Sequence, residues 1–265
     1  MARHRWVRWV AAGVILFVGL AVAGPFVYIH FIEGPPKPRL TLPQSTGTNP
    51  GGTQATSLTG TWNVTTGSRA GYRVQEVLLG QSDTAVGRSS DVSGSLVIDG
   101  TVLRSARFSV PLATVISDQG ERNAQFDGRI MDVARWPTAT FALTSPVPFG
   151  RVPAAGKVTR TRVQGELTMH GVTHTVTVTV SAEVKGASIY VLADATVVFA
   201  DWRIQNPSIG GFVTTADQGT LEVLLHVVKG AVPATTTTTT PSPGRPGAVT
   251  LPATTLPPLS IKPKH

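Results

Sequence analysis

The stretch Val172-Thr173-His174-Thr175-Val176-Thr177-Val178-Thr179-Val180-Ser181-Ala182-Glu183-Val184 sets Val, His or Ala at every even position and a hydroxyl or carboxylate side chain at every odd one. Successive side chains of a strand point to opposite faces, so a period of two held this long means one extended strand with an apolar face and a polar face. The same alternation returns in Ile189, Val191, Ala193, Ala195, Val197 and Phe199, after the turn Lys185-Gly186-Ala187-Ser188. The two runs read as a hairpin.

Working outward, further strands are expected at residues 62–66, 71–79, 85–98, 102–110, 138–147, 158–168 and 220–228, with Asp99-Gly100 as a tight turn. Helical patterning is confined to residues 122–134, ahead of Pro137. Eight or so antiparallel strands in one core imply closure. The fold class is therefore all-β, a single antiparallel β-barrel of about eight strands with one short helix, occupying residues 58–230.

The ends have a different composition. Residues 33–57 are rich in proline and glycine, and residues 231–265 carry Thr235 to Thr240 followed by repeated Pro and Thr. Neither can bury enough apolar surface to offset the entropy of ordering, so a linker and a disordered Thr/Pro tail are expected, the tail resembling O-glycosylated stalks in composition. Residues 10–32 contain no Lys, Arg, Asp or Glu, and as a helix they would rise roughly 35 Å, enough for a hydrocarbon core of about 30 Å. Arg3, Arg5 and Arg8 precede them in the basic segment 1–9, so the positive-inside rule puts the N-terminus in the cytoplasm and the barrel outside, as a single-pass anchor in the cell membrane. Cleavage after Ala23, in the small-x-small run Ala21-Val22-Ala23, is the competing reading; the apolar run beyond it, through Phe26, Tyr28 and Ile32, favours retention.

Seven of the eight net positive charges belong to the ends, since residues 58–230 hold 15 Lys and Arg against 14 Asp and Glu. A near-neutral domain does not present the basic face that nucleic acid requires, and no nucleic-acid partner is expected. With no cysteine in the chain, stability must come from sheet closure and packing.

Three segments resemble the YceI-like family. The first runs Glu121-Arg122-Asn123-Ala124-Gln125-Phe126, through Met131-Asp132, to Arg135-Trp136-Pro137-Thr138-Ala139-Thr140-Phe141. The second, and most specific, is Gly165-Glu166-Leu167-Thr168-Met169-His170-Gly171-Val172-Thr173-His174. The third is the polar, Gly-containing loop between Phe199 and Gly211. The family commonly has Asp where Asn123 follows Arg122 here. The resemblance implies a lipocalin-like barrel associated with polyisoprenoid chains or similar amphiphiles.

No Gly-x-Ser-x-Gly elbow, His-Glu-x-x-His helix, phosphate loop or dinucleotide fingerprint occurs, so no catalytic residue and no enzyme activity is expected. His170 and His174 share a face only on a helix, and here a turn leads into a strand, so no metal is expected. Candidate ligand-binding residues are the aliphatic wall of Val176, Val178, Val180, Val191 and Val197, and the aromatics Phe126, Trp136, Phe141, Trp202 and Phe212 near the helix and the last long loop. Arg122 is the candidate for a headgroup or for latching the helix, since its fork holds phosphate or carboxylate. The expected function is sequestration of an amphiphile (a polyisoprenoid, an isoprenoid quinone or a fatty-acid-type lipid), and no other cofactor is expected. The alternative is a cell-envelope interaction module whose barrel is filled by its own side chains; an enzyme with an interior constellation stands third.

Overall fold

The structure, a computed structural model, describes residues 9–10, 13–14, 16–17, 36–44, 57–78, 80–211 and 213–230. The basic segment 1–8, most of the apolar run 10–32, the Ala21-Val22-Ala23 site, the tail 231–265 and Phe212 lie outside the described residues. Among the described residues no helix is long and apolar enough to cross a membrane.

Twelve strands form one antiparallel sheet: β1 (Gly60–Val64), β2 (Arg69–Leu78), β3 (Gln81–Ser89), β4 (Ser93–Asp99), β5 (Val102–Pro111), β6 (Thr138–Leu143), β7 (Val147–Pro148), β8 (Thr159–Met169), β9 (Val172–Lys185), β10 (Ser188–Val198), β11 (Val213–Thr215) and β12 (Gln218–Lys229). Eight of them, in the order β1-β4-β5-β6-β8-β9-β10-β12, close into a barrel through pairing of β12 with β1. β12 spends its other half on β2, where Thr220 to Leu224 pair with Arg73 to Arg69. β1 and β2 are thus one barrel edge interrupted at Thr65 to Ser68. Ser68 mends that interruption: its hydroxyl donates to Thr65 O at 2.9 Å and accepts from His226 N at 2.9 Å, so the buried ladder groups are paired.

Helix α1 (Gly120–Gln125) continues as a π turn over Phe126–Ile130 and connects β5 to β6. It marks one end of the barrel, the helix end, together with the β2–β3 turn, the β8–β9 turn and the loop after β10. The β4–β5 and β9–β10 turns and the loop after β7 form the far end. His170 and Gly171 make the β8–β9 turn with φ of 49° and 72°, the left-handed pair that a two-residue hairpin requires.

The expected architecture holds, with local differences that have local causes. The run 85–98 is two strands, β3 and β4. Ser89 Oγ accepts from Asp91 N at 2.9 Å and shares a 2.6 Å hydrogen bond with Thr114 Oγ1, drawing the backbone out of the ladder between them. The turn after β4 is Gly100-Thr101 rather than Asp99-Gly100, because Asp99 still pairs with Val102. The strand begun at Thr138 stops at Leu143, ahead of Pro146, and β7 rejoins β5 separately. The helix starts two residues earlier than 122 and is shorter than residues 122–134.

Residues 36–44, expected as part of a loose linker, lie along the outside of the barrel. Arg73 donates to Lys37 O at 2.6 Å, Arg88 donates to Pro38 O, and Lys185 donates to Pro43 O. Beneath this strap, Glu222 is 1% exposed and meets Arg73 and Arg88 at 3.0 Å each and Arg39 at 3.4 Å. A buried carboxylate persists only with such compensation.

Candidate functional site

Inside the barrel is a cavity of about 620 Å³. The even-numbered side of β9 and the odd-numbered side of β10 face it, so the alternation in sequence becomes an aliphatic wall. Val176, Val178 and Val197 border the cavity and are buried, while Val180, Val191 and Val223 border it and stay half-exposed. That residual exposure is toward the cavity. Phe141 from β6 lies across Gly165 of β8; a Cβ at Gly165 would come within 2.2 Å of its ring, so glycine is what admits the aromatic to the wall.

The two ends of the cavity differ in polarity. Toward the far end the lining is Leu58, Leu96, Ile98, Phe149 and Leu225. Trp62 packs there as well, its indole N–H donating to Leu58 O at 2.8 Å. At the helix end Gln119, Glu121, Arg122, Gln125 and Arg129 join the lining, with Phe126 and Ile130. An apolar interior with polar groups at one end suits an elongated amphiphile.

Arg122 reaches from α1 to Glu76 on β2 at 2.8 Å, to Asp83 on β3 at 3.6 Å, and to Asp118 at 2.6 Å. It latches the helix, and its charge is met by carboxylates. Burial raises the Glu76 carboxyl above its ordinary value, an effect Arg122 opposes and Asp83 reinforces. Burial also pushes the Tyr72 hydroxyl up to about 12, again against the pull of Arg122. Arg129, one helical turn beyond Gln125, donates to two neutral acceptors among the described residues, Gln125 Oε1 at 3.0 Å and Pro207 O at 2.9 Å.

Of the residues expected to line a site, the structure brings Arg122, Phe126, Phe141, Val176, Val178, Val180, Val191 and Val197 to the cavity. Two expectations are corrected. Trp136 lies outside, its indole against the β8–β9 turn, where a Cβ at Gly171 would come within 2.5 Å of it. Trp202 does not border the cavity but is buried in one cluster with Leu167, Met169, Val176 and Val197, with its indole N–H toward Leu167 O at 3.4 Å and its ring edge-on to His174. Large aromatics next to a helix fill the junction between elements as readily as a cavity. His170 Nδ1 lies 3.0 Å from Trp202 O and His174 Nε2 lies 2.7 Å from Asp201 O, so both histidines dock the short helical turn Phe199–Trp202 onto the β8–β9 hairpin. Among the described residues no group of three or more His, Asp or Glu gathers in a metal-binding arrangement.

Tyr72, Ala193, Leu221 and Arg129 also border the cavity and were missed. The first three continue the period-two pattern of their strands, which was the available signal. Arg129 carried none.

The fold is thus a closed antiparallel barrel around an apolar cavity with a polar rim. The chain belongs to the YceI-like family: the YceI-like domain profile matches residues 62–227, well over half of its length. Among solved structures, a polyisoprenoid binding domain from Saccharophagus degradans implicated in plant cell wall breakdown matches with a TM-score of 0.53 at 16% identity, covering 65% of this chain and 99% of that one. BcnA of Burkholderia cenocepacia matches at 22% identity and TM-score 0.45, covering 60% and 96%. The Campylobacter jejuni YCEI protein matches at 13% identity and TM-score 0.45, covering 55% and 85%. No curated protein matches the chain.

Proposed function

We propose that this protein takes up the apolar chain of an isoprenoid or similar amphiphile outside the cytoplasmic membrane, and that residues 10–32 anchor it there. The cavity carries the reading. Its volume of about 620 Å³ lies inside the range of roughly 300–1,000 Å³ typical of small-molecule sites, and a barrel filled by its own side chains would have no such space. Membership of the YceI-like family, and the fold shared with a polyisoprenoid binding domain, agree with a lipid ligand.

The mechanism is sequestration without a covalent step. Each CH₂ moved from water to the aliphatic wall contributes roughly 0.8 kcal/mol before the entropic cost of association. The headgroup stays at the helix end, where Arg129 offers a cation to phosphate or carboxylate and the Gln119 and Gln125 amides offer neutral hydrogen bonds. Arg122 holds the helix that carries them.

The test is extraction and mass analysis of lipid from the full chain, purified from host membranes and washed free of loosely held lipid, beside an Ala193→Phe protein. One prenyl or acyl lipid per chain, absent from the variant, supports the reading. Equal lipid in both, or none in either even after supply of quinone, polyprenyl or fatty-acid lipid, refutes it.

A further inference from the structure

We infer that the strap and the barrel wall beneath it enclose a second binding site, on the outside of the sheet, for the phosphate group of a phosphomonoester. Strap residues 38–41 roof a pocket of about 320 Å³ whose floor is Gly67, Arg69, Arg88 and Leu224. None of these residues borders the interior cavity.

The floor follows from strand alternation. On β2 Ala70 and Tyr72 turn inward to the cavity, so Arg69 and Arg73 turn outward. Arg69 lies opposite Leu224 of β12, and Gly71 lies between Glu222 of β12 and Arg88 of β3. A Cβ at Gly71 would come within 2.9 Å of Arg88 Cγ, so glycine is what lets the Arg88 side chain cross β2 and reach Glu222 at 3.0 Å.

Positive charge exceeds negative along this seam. No Asp or Glu occurs in residues 34–75, so the strap brings Lys37 and Arg39 without counter-charge of their own. With Arg69, Arg73 and Arg88 they make five cations, and the carboxylates that face them, Glu222 and Asp194 opposite it on β10, make two. Nor are the donors used up. Among the described residues Arg69 makes no hydrogen bond or ion pair, and Arg39 makes only the 3.4 Å contact with Glu222. Arg88 bonds through Nη2 alone, to Pro38 O and Glu222, and its enclosed Nε has no acceptor. Buried donors are ordinarily met by protein, water or an ion.

Three guanidinium groups with donors to spare around one pocket suit a tetrahedral oxyanion, since each N–H···O⁻ bond is charge-assisted and the guanidinium fork matches phosphate geometry. The surplus of positive charge favours a dianion over a carboxylate. The pocket exceeds the roughly 30 Å³ share of a water molecule several times over, leaving room beside Leu40 and Leu224 for the first carbons of an ester. A phosphate held there would bridge Arg39 of the strap to Arg69 and Arg88 of the wall, and so fasten the strap to the barrel.

The test uses the full chain in a non-ionic detergent, titrated with glycerol 3-phosphate by calorimetry. Trypsin cleavage after Arg39 is followed with that ester and with sodium chloride of matched ionic strength. One equivalent should bind per chain, and cleavage should slow severalfold with the phosphomonoester but not with chloride. Arg69→Gln should weaken binding about tenfold, by loss of charge-assisted bonds. Its unfolding midpoint without ligand should match the wild type, because Arg69 is exposed and makes no contact that the substitution would break. Phosphatidate in mixed micelles, compared with the soluble ester at equal phosphate, identifies the source: stronger protection by phosphatidate marks a lipid headgroup, and stronger protection by glycerol 3-phosphate marks a soluble ligand. No saturable binding of either, equal protection by chloride, or undiminished affinity in a folded Arg69→Gln protein would overturn the inference.

Discussion

Tyr72 on β2 and Phe126 at the end of α1 stack with ring centroids 5.2 Å apart and planes inclined by 14°. The pair joins the helix to the barrel wall at the polar end of the cavity, and both residues border the cavity itself. The same contact therefore supports the fold and narrows the mouth.

Phe126→Ala should separate those two roles. Removing a largely buried ring costs about 3 kcal/mol or more when the site cannot collapse, and here the vacated space is continuous with the cavity. We expect a lower urea midpoint and faster loss of a preloaded fluorescent lipid. Unchanged release from a folded variant would show that the pair does not guard the mouth.

Filling the cavity should have the opposite balance. Ala193 borders the open space, so Ala193→Phe gains apolar contacts without displacing neighbours, and stability should change by no more than about 1 kcal/mol. Lipid uptake should fall sharply. Val178→Asp should also abolish uptake, but by setting an unpaired charge in an apolar wall, and thermal unfolding should show a loss of stability that Ala193→Phe does not.

Glu222 is surrounded by Arg73, Arg88 and Arg39, the first two largely buried. Glu222→Gln leaves those guanidinium groups without a counter-charge, and breaking a buried pair in this way costs about 3–5 kcal/mol. The strap should loosen as well. Limited trypsin digestion should then cut after Arg39 well before the barrel is degraded; cleavage at the wild-type rate would show that the carboxylate does not hold the strap.

The raised Glu76 carboxyl predicts a pH dependence of defined sign. Its folded-state value lies above the ordinary 4.5, so between the two values the folded protein binds more protons than the unfolded chain. Stability from this group is then present at low pH and declines as pH rises above 4.5 through the folded-state value. Glu76→Gln should remove that decline from a series of urea midpoints taken across the window. A wild-type contribution that grows with pH would show that Arg122 outweighs burial.

The period-two runs at 172–184 and 189–199 determined strand character and the inward face, because a strand side chain has only two directions to point and the core accepts only one of them. That is why the aliphatic wall of Val176, Val178, Val180, Val191 and Val197 was legible in the chain. That the strands and the core lie within residues 58–230 was legible in the alternation of that stretch, whereas the packing of residues 36–44 on the barrel was not. Aromatic positions gave no such rule: Phe126 and Trp202 both lie near the helix end in one buried cluster, and only packing put the first at the cavity and kept the second from its lining. The size of the cavity, the cluster of Glu222 with Arg73 and Arg88, and the course of the strap arise between residues separated by as many as 183 positions. Periodicity is a local property, whereas the sum of side-chain volumes against barrel width and the pairing of distant charges are fixed only when the sheet closes.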